Sequence, residues 1–347
     1  MMNTTKRRIV AYVSVAAVVV SLDALVLECR ARIESRSAGQ TRVLRLGLIS
    51  GEAHPTTIGA RTFARLVEEK SGGRLVVELI IGGALGGEVE MQDMVSTGSL
   101  EMACFGNALP AVYHAEYNVL QLPFLWDSPE QMLAFAQTST QRQLNEQYRQ
   151  QAGVHVLAVN WDQGVRHTLL REEIRGSADF RNVKIRVPQN AVSLQTWRAI
   201  GAQPCPIPFP EVYFSLQQGV IDGLECPLYW IHASSFHEQA KHVILTGHVM
   251  YFNVVAINDR LFQNLPDDLR RILLDAAKAS GDEATRVTNS LEVELRETME
   301  RAGVTFTSTD RRHLRELSDS LYQDFEAEHG RQLLDEIEAF KDSHCDP

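Results

Sequence analysis

The alternation of short apolar runs with a helical segment near residue 43 constrains this chain more than any other local feature. Residues 43–49 read as a strand and residues 58–70 as a helix. Ser71, Gly72 and Gly73 end that helix, and the run Leu75-Val76-Val77-Glu78-Leu79-Ile80-Ile81 reads as a second strand. A strand, a helix and another strand joined this closely imply a parallel pair with a crossover helix, and so an α/β fold with a sheet covered by helices. Further strands are expected at residues 101–105, 154–161 and 251–258, with helices over 129–151 and 310–340. From residue 265 to 303 the only breaker after Pro266 is Gly281. That predicts one helix of about 55 Å at 1.5 Å per residue. Leu269, Ile272, Leu273, Ala276 and Ala277 form its apolar stripe.

The first 40 residues read differently. Lys6, Arg7 and Arg8 precede an apolar run from residue 9 to 22, as in a secretory signal peptide or, if uncleaved, an anchor. Asp23 interrupts the run, and Glu28 before Cys29 does not suit a lipoprotein signal. The whole chain has a formal charge of −10 in 347 residues, and this segment is basic, so the remainder is more acidic still. An acidic protein is a poor partner for nucleic acid, and any anionic ligand must be recognised locally rather than by long-range steering. Of five cysteines, Cys29 leaves with the signal region; Cys104, Cys205, Cys226 and Cys345 show no disulfide framework and no CxxC pair. A Cys205 to Cys226 bridge remains an option, since both flank one helix.

Two arginines stand out between residues 161 and 190. Arg166 lies in an extended run, and Arg186 lies in Val183-Lys184-Ile185-Arg186-Val187-Pro188, which alternates as a half-buried strand should. A guanidinium offers a planar fork of donors that matches a carboxylate. By spacing alone, a solvated arginine on an edge strand is the favoured reading, since most arginines are solvated. Other constellations ask for no chemistry. The glycines of residues 82–87 match neither dinucleotide nor P-loop spacing, and their expected role is to let helix N-terminal amides face a cleft. His237 and His242 are five apart, as are His232 and His237, whereas a zinc helix needs four. There is no GxSxG elbow, and the acidic pairs Glu172-Glu173 and Asp267-Asp268 suit turns or helix starts.

Several linked segments carry a resemblance. They are Glu68 to Ala103, the Leu122-Pro123-Phe124-Leu125-Trp126 loop, the strand ending Ile185-Arg186-Val187-Pro188, the Gly201-Ala202 turn before Pro204, and residues 208–227 with their EVY helix and DGLE. Together these resemble the periplasmic solute receptors of tripartite ATP-independent periplasmic (TRAP) transporters over roughly residues 43–340. The resemblance implies a two-lobe α/β periplasmic binding protein with a hinge, and with the long helix spanning both lobes. Its expected lobes are residues 41–163 plus 253–290 and residues 164–252 plus 291–347.

The same resemblance implies a periplasmic, monomeric receptor without cofactor, metal or catalysis. It would bind a small organic acid and deliver it to TRAP membrane subunits. Arg186 is expected to hold the ligand carboxylate two-pronged, Arg166 to reach the same carboxylate or a nearby hydroxyl, and Phe209 to pack beside the ligand. Cys226 stands where sialic-acid receptors have Asn, which weighs against sialic acid. Trp161 and Asp162, before Gly164 and Arg166, are similar to the lining run of sugar-acid receptors, so a sugar acid is the first expectation. A C4-dicarboxylate or 2-oxo acid is the alternative, as is an enzyme or sensor domain on the same fold. Glu52, His54, Glu88 and Asn107 are the first-lobe contact candidates, and Tyr229 and Trp230 could supply a stacking face.

Overall fold

The structure is a computed structural model that describes residues 41–174 and 180–344. The expected signal segment with Cys29, and Cys345 at the other end, lie outside the described residues. Strand β1 (Arg42–Gly47) pairs in parallel with β2 (Leu75–Ile80) across helix α1 (Pro55–Ser71). The βαβ unit is therefore present, but α1 begins three residues earlier than its apolar pattern suggests. His54 caps it, with Nδ1 accepting from the Thr56 amide, and Pro55 occupies the first turn, where its missing N–H costs nothing. Gly72, left-handed at φ 63°, closes its C-terminus.

Helix α2 (Glu88–Thr97) leads to β3 (Met102–Gly106), which lies parallel to β1. Two strands of 17 residues each then dominate, β4 (Val154–Leu170) and β8 (His242–Asn258). Between them come β5 (Lys184–Val187), β6 (Gln203–Pro206) and β7 (Gly223–Pro227), and β9 (Thr305–Ser308) follows β8. The sheet order is β2-β1-β3-β8-β4-β7-β5-β6, with β9 also on β8. β4 and β8 run antiparallel along their whole length, so the two crossings expected between the lobes are one continuous ladder. Its register shifts repeatedly between Val156 and Thr168. Such bulges bend and twist a strand locally.

The long helix is present as α3 (Asp267–Arg301), 35 residues. Leu269, Leu273, Ala276, Ala277, Ser280, Ala284, Thr288, Leu295 and Met299 are all buried, so the stripe continues past Gly281 to both ends. α3 is fastened to the irregular part of β4. Asn160 Nδ2 donates to Lys278 O, Thr285 Oγ1 donates to Asn160 O, and the Asp162 amide donates to Thr285 Oγ1. Gly59 on α1 and Gly281 on α3 allow this approach, because a Cβ at either would strike the Trp161 ring or its neighbours. The helices expected over 129–151 are Pro129–Phe135 and Ser139–Ala152, capped by Ser128 and Thr138. The segment after residue 310 divides into Arg311–Leu317, Asp319–His329 and Gln332–Ser343.

Candidate functional site

Arg186 comes from the C-terminal half of β5, and Pro188 after it ends the strand's capacity to donate. Its side chain is only 4% exposed. Nε donates to Ile207 O at 2.8 Å, and the guanidinium carbon lies 5.7 Å from the Phe209 ring centre. Among the described residues no carboxylate lies within ion-pair distance of it. Burial pulls the Arg186 pKa below its ordinary value, against the raising fields of Cys226, Glu225 and Glu88.

Arg166 arrives from β4 by a different route. Gly164 takes φ 86°, and Asp162 Oδ1 accepts its amide at 2.9 Å, so the strand kinks just before Arg166. The Arg166 guanidinium is then committed to Glu225 on β7. Nε and Nη2 donate to the two carboxylate oxygens, and Nη2 also donates to Glu225 O at 2.9 Å. His248 Nε2 approaches Glu225 Oε2 at 3.1 Å, and its Nδ1 lies 2.9 Å from Thr246 Oγ1. The Tyr251 ring covers the other face of Arg166 at 4.7 Å. Burial alone would push the Glu225 carboxyl up, but Arg166 and His248 outweigh it and hold the pKa at about 2.

Arg166 and Arg186 line one small cavity with Ile49, Glu88, Pro188, Phe209, Cys226, Trp230 and Tyr251. Its volume of about 20 Å³ is close to that of a single water. Glu88 opens α2 with its carboxyl in this cavity. Oε1 accepts from the Gly106 amide at 2.7 Å and from Tyr251 Oη at 3.5 Å. Burial raises the Glu88 pKa, which the Gly106 hydrogen bond and the fields of Arg186 and Arg166 offset in part. Two larger hollows, one along Glu116, Gln147 and Gln332 and one along Arg42, Arg74 and Pro266, are open grooves that bring no buried charges together.

The structure thus gathers Arg186, Arg166, Phe209, Cys226, Glu88 and Trp230 around one space. It places other sequence candidates elsewhere. Trp161 is fully buried, and its Nε1 donates to Ala277 O on α3, so it anchors the brace and does not line the cavity. Asp162 shapes the Gly164 kink. Glu52 is exposed and pairs with Arg61. His54 packs against Tyr229 and Trp230 at 5.0 and 3.9 Å between ring centres, and burial lowers its pKa to about 3. Asn107 is fully buried behind the end of β3 and is not part of the lining. Tyr229 Oη donates to Ala53 O, tying the loop after β1 to the other half of the molecule. The glycine loop packs there too, with Gly83 and Gly87 against Pro210 and Pro208.

Cys104, Cys205 and Cys226 are free thiols, so the optional Cys205 to Cys226 bridge is not formed. Ile49, Tyr251, Glu225 and His248 were not singled out by sequence. Glu225 offered a signal: an acidic residue on a strand with Leu224 and Cys226 is buried only when paired. Among the described residues, no helix is long and apolar enough to cross a membrane, and no group of His, Cys, Asp or Glu is placed to hold a metal.

Comparisons with known proteins agree with this architecture. A model of the DctP family, bacterial extracellular solute-binding protein family 7, matches residues 46–329. A solute-binding protein of Roseobacter denitrificans is 29% identical over 283 residues, 81% of this chain and 86% of that protein. The chain is similar in structure to a TRAP periplasmic solute-binding protein from Polaromonas bound to D-erythronate, with TM-score 0.82 and 26% identity over 86% of this chain and 99% of the other. It is also similar to one from Roseobacter denitrificans with bound β-D-glucuronate, with TM-score 0.83 and 26% identity over 86% and 99%. These are two-lobe α/β receptors that serve TRAP transport, and the match covers nearly all of the sheet, the long brace helix and the cavity strands. The chain belongs to the DctP family of bacterial extracellular solute-binding proteins, the receptors of TRAP transporters.

Proposed function

We propose that this protein is an extracytoplasmic receptor that closes its two lobes over a small organic acid, holds the carboxylate on Arg186, and delivers it to TRAP membrane subunits. One observation carries the reading: Arg186 is buried in the cavity with a single hydrogen bond, to Ile207 O, and no ion pair among the described residues. A buried charge without a counter-ion is costly, and an incoming carboxylate offsets that cost with charge-assisted hydrogen bonds. Arg166 plays a different part. Its charge is balanced by Glu225, so it shapes the cavity wall beside Arg186 instead of sharing the grip equally.

The lobes are residues 41–163 plus 253–290 and residues 164–252 plus 291–347, and they pivot where β4 is irregular, between Ala158 and Val165. Contacts of Gly83 with Pro210 and of Tyr229 with Ala53 belong to the closed form. The sugar acids bound by solved relatives define the first ligands to try. No residue set in the cavity performs chemistry, so ligand should be recovered unchanged.

The test is calorimetric titration of refolded protein with aldonic, uronic, hydroxy and 2-oxo acids, repeated with Arg186→Lys. At least one acid should bind, and the lysine variant should bind it about 100-fold or more weakly, because it loses the planar fork. Equal affinity in both proteins, or consumption of the ligand, would refute the assignment.

A further inference from the structure

The composition of the cavity wall narrows the ligand class, an inference that rests on Arg186 being the carboxylate grip. Four polar side chains in the lining are available to a ligand, one of them, Arg166, only through Nη1. Arg186 has its two terminal nitrogens beyond the Nε already given to Ile207. Glu88 uses Oε1 for Gly106 and Tyr251, and Oε2 makes neither contact. Tyr251 contributes its hydroxyl. Trp230 Nε1 is engaged elsewhere, donating to Gln163 Oε1 at 3.2 Å, and Arg166 Nε and Nη2 are held by Glu225, which leaves Arg166 Nη1 on the cavity side. The rest of the wall is Ile49, Pro188, Phe209, Cys226 and Trp230.

We propose that the cavity selects a compact monocarboxylate with one hydroxyl or ammonium donor close to the carboxylate and a short apolar remainder. The carboxylate sits on Arg186, the donor reaches Glu88 Oε2, and the apolar part packs against Ile49, Phe209, Cys226 and Trp230. Two classes are disfavoured by the same geometry. A hexuronate ring brings more hydroxyls than the wall has partners for, and each buried unpartnered hydroxyl weakens binding. A dicarboxylate brings its second charge toward Glu88, and like charges in a site repel. Burial also strains the ionised form of Glu88, so a donor arriving at Oε2 relieves it.

The probes are four acids: 2-hydroxy-3-methylbutanoate, valine, 3-methylbutanoate, which has no donor, and malate, with glucuronate as the ring comparison. Each is titrated into refolded wild-type protein and into Glu88→Gln. In wild type, the hydroxy acid or valine should bind at least about tenfold more tightly than 3-methylbutanoate, since a hydrogen bond to a charged group is lost. Malate and glucuronate should be weaker than the best donor acid. Glu88→Gln should weaken valine and the hydroxy acid toward 3-methylbutanoate while improving malate, a pattern that general structural damage would not produce. Tightest binding of glucuronate or malate in wild type, or equal weakening of every acid in Glu88→Gln, would overturn the inference and leave the Arg186 reading standing. Binding that ignores Arg186→Lys would overturn both.

Discussion

Arg166 and Glu225, 59 residues apart, form a fork-to-fork pair on adjacent strands, with the arginine 5% and the glutamate 1% exposed. His248 completes the shell around the carboxylate. The pair divides the labour of the two arginines: one is balanced inside the protein, and the other faces the cavity.

Removing one partner of such a pair leaves a buried charge alone. Glu225→Gln should therefore lower stability at neutral pH by about 3–5 kcal/mol. The folded pKa of about 2 lies below the ordinary 4.5, so the native protein binds this proton less readily than the unfolded chain. The stabilisation is complete above pH 4.5 and fades as the pH falls from there toward 2. Denaturant melts between pH 7 and 3 should show that wild type and Glu225→Gln converge at the acid end; a constant gap would exclude the pair as the cause.

Glu88 has the opposite sign. Burial raises its folded pKa, so its contribution is present at low pH and is lost as the pH climbs through the folded value. Unliganded Glu88→Gln should melt no lower than wild type at neutral pH and should gain on it as the pH rises above the ordinary 4.5, until the folded carboxyl has ionised. A variant that melts lower throughout would show that the Gly106 and Tyr251 contacts outweigh burial.

In the proposed receptor, Arg186 carries the cost of binding competence. Arg186→Met keeps most of the volume and removes a buried charge that lacks an ion pair. The unliganded variant should melt at or above the wild-type temperature, while ligand no longer shifts the midpoint. A large drop in the unliganded midpoint would assign Arg186 a structural duty instead.

Gly83 lies at the contact proposed to form on closure. Its φ is 71°, and a Cβ there would lie 2.8 Å from Pro210 Cγ. Gly83→Ala should weaken ligand affinity several-fold, and small-angle scattering should show less compaction on ligand addition. Full compaction at wild-type affinity would mean that the loop yields.

Gly281 permits the brace to meet β4. An alanine there would press on Asn160 and on Trp161 Cδ1 at 2.5 Å. Overpacking costs about 1–3 kcal/mol, against about 1 kcal/mol of improved helix propensity. Gly281→Ala should thus melt lower than wild type, although the same change usually stabilises a helix.

Local pattern was enough for much of the molecule. The βαβ start, the 35-residue helix and the extended segments around Arg166 and Arg186 follow from periodicity and breakers, which act between near neighbours in the chain. The linked motifs also announced the family and both arginines. Electrostatic and packing partners are another matter, because they are set by proximity in space. Nothing near Arg166 in sequence says that Glu225 neutralises it, so the two arginines read alike until β4 and β7 are paired. Trp161 belongs to a run that suggested a binding wall, yet the kink at Gly164 separates it from Arg166 and turns it onto Ala277. Glu88 and Tyr251 lie 163 residues apart and meet only because β3 and β8 are neighbours. Charge balance in a buried site is a sum over such contacts, and only the folded chain fixes which of them exist.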